Sequence, residues 1–289
     1  MMMRSSIVRC SLAAAACALA ALAPATLHAQ QENGWAFTGK VTAVFSGGNS
    51  EASTFGLANT LRFRQDNYEF RFESGAVRTD SGIKERRAVG TDSVFDIEEE
   101  TIWEKTAEAY YARARYDRNL NGDLLVFVGT DWLRNTFSGI DSRFLVALGA
   151  GNTWADTDDL TFKTDIGLTY TFQNDVVTNP FVKTNFPGVR ASWNLRRRFT
   201  ESTRIQSDLI ADLNIDEPDD LRVDFKNALS ISINSKFAFE PSLQLAWRNL
   251  PALKEVHLFE PDGTPTGRSV RTRLKKLDTF FNVALVVTL

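Results

Sequence analysis

Cysteine is confined to Cys10 and Cys17, both inside the first apolar segment. The remainder of the chain therefore has neither a disulfide framework nor thiol chemistry. Histidine is almost as scarce, with only His28 and His257, which excludes a multi-histidine or cysteine zinc centre. After residue 30, no apolar run approaches the roughly 18 residues that mark a helical membrane span. Excess positive charge is missing too. Lys and Arg number 33 against 36 Asp and Glu, a net charge of −3, so no nucleic-acid partner is expected.

What is present begins with an export pattern. Arg4 and Arg9 form a short basic start, an Ala- and Leu-rich run follows from Leu12 to Ala23, and small residues offer cleavage after Ala25 or Ala29. That order is the secretory signal pattern, and the run is too short for a transmembrane helix. Residues 1–29 are read as a signal peptide and 30–289 as one domain. Cys17 follows Ala14-Ala15-Ala16, whereas a lipidation box carries a larger aliphatic residue at the first of those positions, so Cys17 is not read as a lipid anchor.

Period-two alternation dominates the domain. Leu160, Phe162, Ile166, Leu168, Tyr170 and Phe172 fall on one parity, and Thr161, Lys163, Asp165, Gly167, Thr169 and Thr171 on the other. Alternate side chains of a strand point to opposite faces, so this segment has one apolar and one polar wall. The same reading predicts twelve strands: 35–46, 53–64, 68–79, 107–118, 123–135, 142–154, 160–172, 188–198, 203–215, 221–233, 237–249 and 271–289. Short turns alternate with connections that are often longer, at 80–106, 173–187 and 250–270. Aromatic residues collect near both strand ends, among them Trp35, Phe63, Tyr68 and Tyr116 at one and Trp132, Phe144 and Phe172 at the other; Trp193, in mid-strand, fits neither band.

An even strand count, unequal connections and two aromatic bands predict an all-β fold: a single antiparallel up-and-down transmembrane β-barrel of about twelve strands in the outer membrane. The competing architecture is a soluble β-sandwich, which alternates similarly but buries its apolar faces between two sheets.

Two stretches carry a family resemblance. Gly34-Trp35 runs into Ser46-Gly47-Gly48-Asn49-Ser50, and Ala109-Tyr110-Tyr111-Ala112-Arg113-Ala114-Arg115-Tyr116-Asp117 is followed by Asp131, Ile140-Asp141-Ser142-Arg143 and Gly149-Ala150-Gly151. The chain resembles the salt-induced outer-membrane protein family, a domain of unknown function. The resemblance implies an outer-membrane barrel and supplies no active site. One departure is the last residue, Leu289, where such barrels usually end in an aromatic.

The candidate functional residues are the inward-facing charges. Arg113, Arg115, Arg143, Arg190, Arg196 and Arg198 form a candidate basic stripe that would bias a pore towards anions. The competing reading is a filled, salt-bridged interior, since Asp117, Asp131, Asp165, Asp208 and Asp212 share the inner parity. Glu98-Glu99-Glu100 and Asp216, Glu217, Asp219 and Asp220 read as solvated loop charge, because no EF-hand spacing accompanies them. His257 with Glu255, Glu260 and Asp262 is a faint hydrolase candidate at an external mouth. Ser46-Gly47-Gly48-Asn49 reads as a hairpin turn rather than a phosphate cradle, because no helix pattern follows.

No cofactor and no catalytic or metal-binding residue is expected. The expected partners are outer-membrane lipid, lipopolysaccharide and the barrel-assembly machinery. The functional expectation is a structural or passive-permeation role; the alternative is surface binding or hydrolysis by the external loops.

Overall fold

The computed structural model describes residues 33–46, 51–91, 94–179 and 182–288. Segment 1–29 and the turn residues Gly47-Gly48-Asn49 lie outside the described residues. The strands are β1 (Gly34–Ser46), β2 (Glu51–Gln65), β3 (Tyr68–Thr91), β4 (Val94–Asn121), β5 (Leu124–Asn135), β6 (Ile140–Asp156) and β7 (Leu160–Asp175). They continue as β8 (Asn185–Arg198), β9 (Thr203–Asn214), β10 (Leu221–Ser232), β11 (Phe237–Arg248), β12 (Leu253–Phe259), β13 (Pro265–Arg273) and β14 (Leu277–Thr288). All but β12 and β13 form one closed antiparallel barrel, in which β14 lies between β11 and β1. Among the described residues no helix is long and apolar enough to cross a membrane.

The predicted alternation is realised with its apolar parity outward. On β7, Ile166 and Leu168 are 64% and 67% exposed, whereas Thr169 and Thr171, just beyond them on the other parity, are 7% and 0% exposed. Leu148, Phe281 and Trp154 on other strands point outward in the same way. A sandwich would hide these side chains, so the soluble alternative is excluded. A closed ring also leaves no unpaired sheet edge, which hydrocarbon would not tolerate.

Both aromatic bands are present. At the end that holds the chain termini, rings follow one another from Trp35 to Phe63, Tyr68 and Tyr116, with centroids 4.8, 6.0 and 5.9 Å apart. At the other end, hereafter the loop end, Phe144 and Tyr170 flank Phe172 at 6.3 and 5.1 Å. Trp193 stands edge-on to Phe225 at 6.1 Å, between the bands.

Two long connections and the start of the last strand differ from expectation. Segment 80–106 is largely ladder: β3 and β4 continue pairing past a register shift at Thr79/Asp80 as far as Thr91 with Val94. Beyond Gly82 the β2 partner has ended, so this hairpin runs out of the wall by about 30 Å at strand rise. Segment 250–270 holds β12 and most of β13, paired with each other as a two-stranded sheet. The last barrel strand begins at Leu277 rather than residue 271. Arg271, Arg273, Lys275 and Lys276 put cations on both parities, so this stretch has no lipid-compatible face and leaves the wall.

Small residues let the inner wall pack. Gly149 and Gly167 face each other across β6 and β7, and the Phe127 ring occupies the space their side chains would fill. The Arg115 guanidinium lies 4.1 Å from the centroid of that ring. Tyr111 covers Gly75 in the same manner. Leu125, Phe127, Leu145 and Ala147 thus form a buried apolar strip on the inside. Burial of a Phe-sized side chain contributes roughly 1.5–3 kcal/mol.

Candidate functional site

The lumen is the candidate site, and its middle is crossed by ion pairs. Arg190 on β8 donates from Nε and Nη2 to the two carboxylate oxygens of Asp212 on β9, at 2.7 and 3.0 Å. Its Nη1 donates to Asp131 at 2.5 Å. Asp131 is on β5, three strands further round the ring. Arg115 on β4 repeats the arrangement. It donates to Asp117 at 2.7 Å on its own strand and to Asp165 at 3.0 Å on β7, which also accepts from the Ser192 hydroxyl at 3.2 Å. The bonds from Arg190 to Asp131 and from Arg115 to Asp165 each reach across three strands of the ring, whereas the others follow the wall.

Further pairs fill in around them. Lys40 bonds Glu240 at 2.5 Å, past the intervening β14. Arg113 stands 3.8 Å from Asp131. Asp208 accepts from Asn194 and from Gln206, and Asp224 accepts twice from Gln244. Arg71 donates to Glu69 at 2.6 Å. Charge-assisted bonds of this kind are strong, and the loss of one partner leaves a buried charge uncompensated.

The loop end is built differently. A short 3-10 turn, Thr136–Ser138, folds inward between β5 and β6. The Ser138 hydroxyl donates to Asp278 at 2.7 Å, on the far side of the twelve-strand ring. Gly139 has φ +76°, a left-handed conformation that favours glycine, and it packs against Ala252 and Leu274 at the base of the β12–β13 hairpin. Ile140 and Ala252 are buried there. The mouth is thereby roofed by side chains from opposite walls.

Beneath this roof Arg143, Arg222 and Arg248 come within electrostatic reach of one another. Arg143 donates from Nε to Gln173 at 2.7 Å, and Arg248 donates from Nε to Asp220 at 3.0 Å. Arg222 lies 3.9 Å from Asp220 and 5.1 Å from the centroid of the buried Phe186 ring.

The six arginines of the candidate stripe therefore have different neighbours. Arg113, Arg115 and Arg190 belong to the mid-lumen network. Arg143 belongs to the loop-end cluster. Arg196, near the terminus end, faces Arg62 and Arg71 as well as Asp208 and Glu69, and its Nε has no protein partner among the described residues. Arg198 reaches Asp159 in the adjoining turn at 2.9 Å. Arg222 on β10 and Arg248 on β11 were not in the candidate stripe, although their strand parity faces inward. Parity alone does not bring them to Arg143, because β6 and β10 are four strands apart.

The external candidates are scattered. His257 sits opposite Ser269 on the β12–β13 hairpin. Its neighbour Glu255 bonds Arg271 at 3.2 Å, and Asp262 accepts the Thr264 backbone N–H at 2.9 Å. That backbone bond holds the Asp262 carboxyl below the usual aspartate range. Asp216 accepts from Lys183 at 3.0 Å. The side chains of Glu98 and Glu99 lie outside the described residues. Among the described residues no group of three or more His, Cys, Asp or Glu is placed to hold a metal ion.

A closed antiparallel barrel with an apolar exterior and a charged interior defines the class of the molecule. Within that class the chain belongs to the family described as protein of unknown function, DUF481, whose model matches residues 40–257. No curated protein matches it. Similar solved structures include the NanC porin, with a TM-score of 0.44 and 9% identity over 88% of this chain and 100% of that one. The KdgM porin has a TM-score of 0.39 and 10% identity over 88% and 99%. An anion-selective porin from Comamonas acidovorans has 0.37 and 8% over 89% and 100%. At these scores they carry no argument about this chain's interior.

Proposed function

We propose that the protein resides in the outer membrane and lets small hydrophilic solutes or ions cross passively through a lumen narrowed by ion pairs. Export would use residues 1–29 as the signal peptide, and insertion would use the barrel-assembly machinery, with lipopolysaccharide around the loop end. The apolar exterior between two aromatic bands supports the membrane placement. The observation that carries the narrowed path is the reach of Arg190 from Asp212 to Asp131, three strands away. A polar interior strung with such bridges hydrates readily but restricts what can pass.

Planar-bilayer recording tests this. Small, well-defined conductance steps are the expected result. Silence from barrel shown to be inserted and folded would overturn permeation and leave a structural role.

A second reading, surface binding, is favoured by the two hairpins that stand outside the barrel wall, β12–β13 and the outer part of β3–β4. Their removal would abolish binding to cells or matrix while the barrel stays folded.

A further inference from the structure

We propose that the loop end of the lumen holds a binding site for one small oxyanion, built by Arg143, Arg222 and Arg248. The proposal stands on the geometry of these side chains and does not require that solutes permeate.

The first argument is charge. Three guanidiniums converge beneath the roof, and guanidinium keeps its proton at any physiological pH. The carboxylates that face them are Asp220 and Asp212. Asp212 spends both oxygens on Arg190. Asp220 remains in contact with the cluster, 3.0 Å from Arg248 and 3.9 Å from Arg222, and accepts a hydrogen bond from Arg248. In the middle of the same lumen, Arg115 and Arg190 each meet two carboxylates. The chain has the means to neutralise an inward arginine with its own acids, and at the loop end it does not.

The second argument is directional. Arg143 Nη2, Arg222 Nε and Nη1, and Arg248 Nη1 are buried and have no protein acceptor among the described residues. The Arg222 side chain is only 8% exposed. The ring of Phe186 beneath it restrains the guanidinium's position. A buried donor without an acceptor is costly, and more so when charged. Water would satisfy the hydrogen bonds and leave the charge uncompensated; an anion satisfies both.

The arginine atoms left free are all donors, which excludes a cation as the ligand of these arginines. They come from three separate strands, which fits the several lone-pair directions of a phosphate-, sulfate- or carboxylate-type oxyanion. The roof formed by Ser138, Asp278 and Ala252 limits its size. One carboxylate oxygen, Asp220 Oδ2, also lies in the cluster without a hydrogen-bond partner. It stands 3.9 Å from Arg222 Nε, and repulsion from it favours a singly charged or protonated oxyanion over a fully ionised one.

The test is calorimetric titration of the folded full chain in detergent micelles with inorganic phosphate at low ionic strength. Saturable one-to-one binding is expected. Arg222→Gln and Arg143→Gln should each weaken it at least tenfold, while Arg198→Gln, at the opposite end, leaves it unchanged. Heat-modifiable gel mobility checks that each variant barrel is folded. Absence of saturable phosphate binding, or an affinity in Arg222→Gln and Arg143→Gln equal to that of the unaltered chain, would overturn the site. Binding without conductance would refute permeation alone, and conductance without binding would refute the site alone.

Discussion

The middle of the lumen and its loop end use the same residue, arginine, to opposite effect. In the middle, Arg190 and Arg115 each join carboxylates from separate strands, and donors and acceptors nearly balance. At the loop end, Arg222 and Arg248 share Asp220, Arg143 bonds Gln173, and all three keep buried donors without acceptors. A balanced network braces the wall. An unbalanced one stores repulsion that a ligand can relieve. Inward-facing charge therefore says little about role until its partners are known.

The largest test of this contrast removes the central brace. Arg190→Ala strands Asp131 and Asp212 in the lumen and should destabilise the barrel by about 3–5 kcal/mol. Arg143→Met, at the loop end, should be neutral or stabilising by up to about 1 kcal/mol in phosphate-free buffer, since it removes a repelling charge. Urea unfolding in lipid vesicles followed by tryptophan fluorescence reads both. Equal losses would erase the distinction.

A smaller effect is expected where the inner wall depends on glycine. A Cβ at Gly149 would clash with the Ile166 carbonyl oxygen and lie 2.6 Å from the Gly167 Cα and 2.8 Å from the Phe127 ring. Gly149→Ala should push that ring from beneath Arg115 and cost about 1–3 kcal/mol in the same unfolding assay. An unchanged midpoint would show that the close approach of β6 to β7 at this point accepts a methyl group without loss.

The smallest effect concerns the roof. Ser138→Ala removes the bond to Asp278 and should cost only about 1 kcal/mol. Its clearer readout is electrical: more frequent transitions to a higher-conductance level if the inward turn loosens. Unaltered gating would show that the packing of Ile140 and Ala252 closes the mouth without help from the hydroxyl.

Strand positions were legible in the sequence wherever lipid faces one side. On β7 and β9 every second residue must be apolar, and a one-residue slip would turn charges into hydrocarbon. The outer part of β3–β4 and the β12–β13 hairpin were missed because they leave the wall. With no lipid-facing side, nothing compels alternation, and stretches such as Glu98-Glu99-Glu100 and Leu253–Phe259 read as loop, while 271–276 reads as part of the last barrel strand.

The candidate stripe shows the same boundary. Parity placed Arg113, Arg115, Arg143 and Arg190 inside, but it could not separate the braced from the unbraced. Neither the roof at Ser138 nor the convergence of Arg222 and Arg248 on Arg143 left a local signal.

By itself the sequence determined which side chains face out and which face in, because that choice depends on residues two apart on one strand. Only the tertiary structure decided which inward charges meet. Closing twelve strands into a ring brings β5 to β8, β6 to β10 and the β5–β6 turn to β14 across an interior whose distances no single strand encodes.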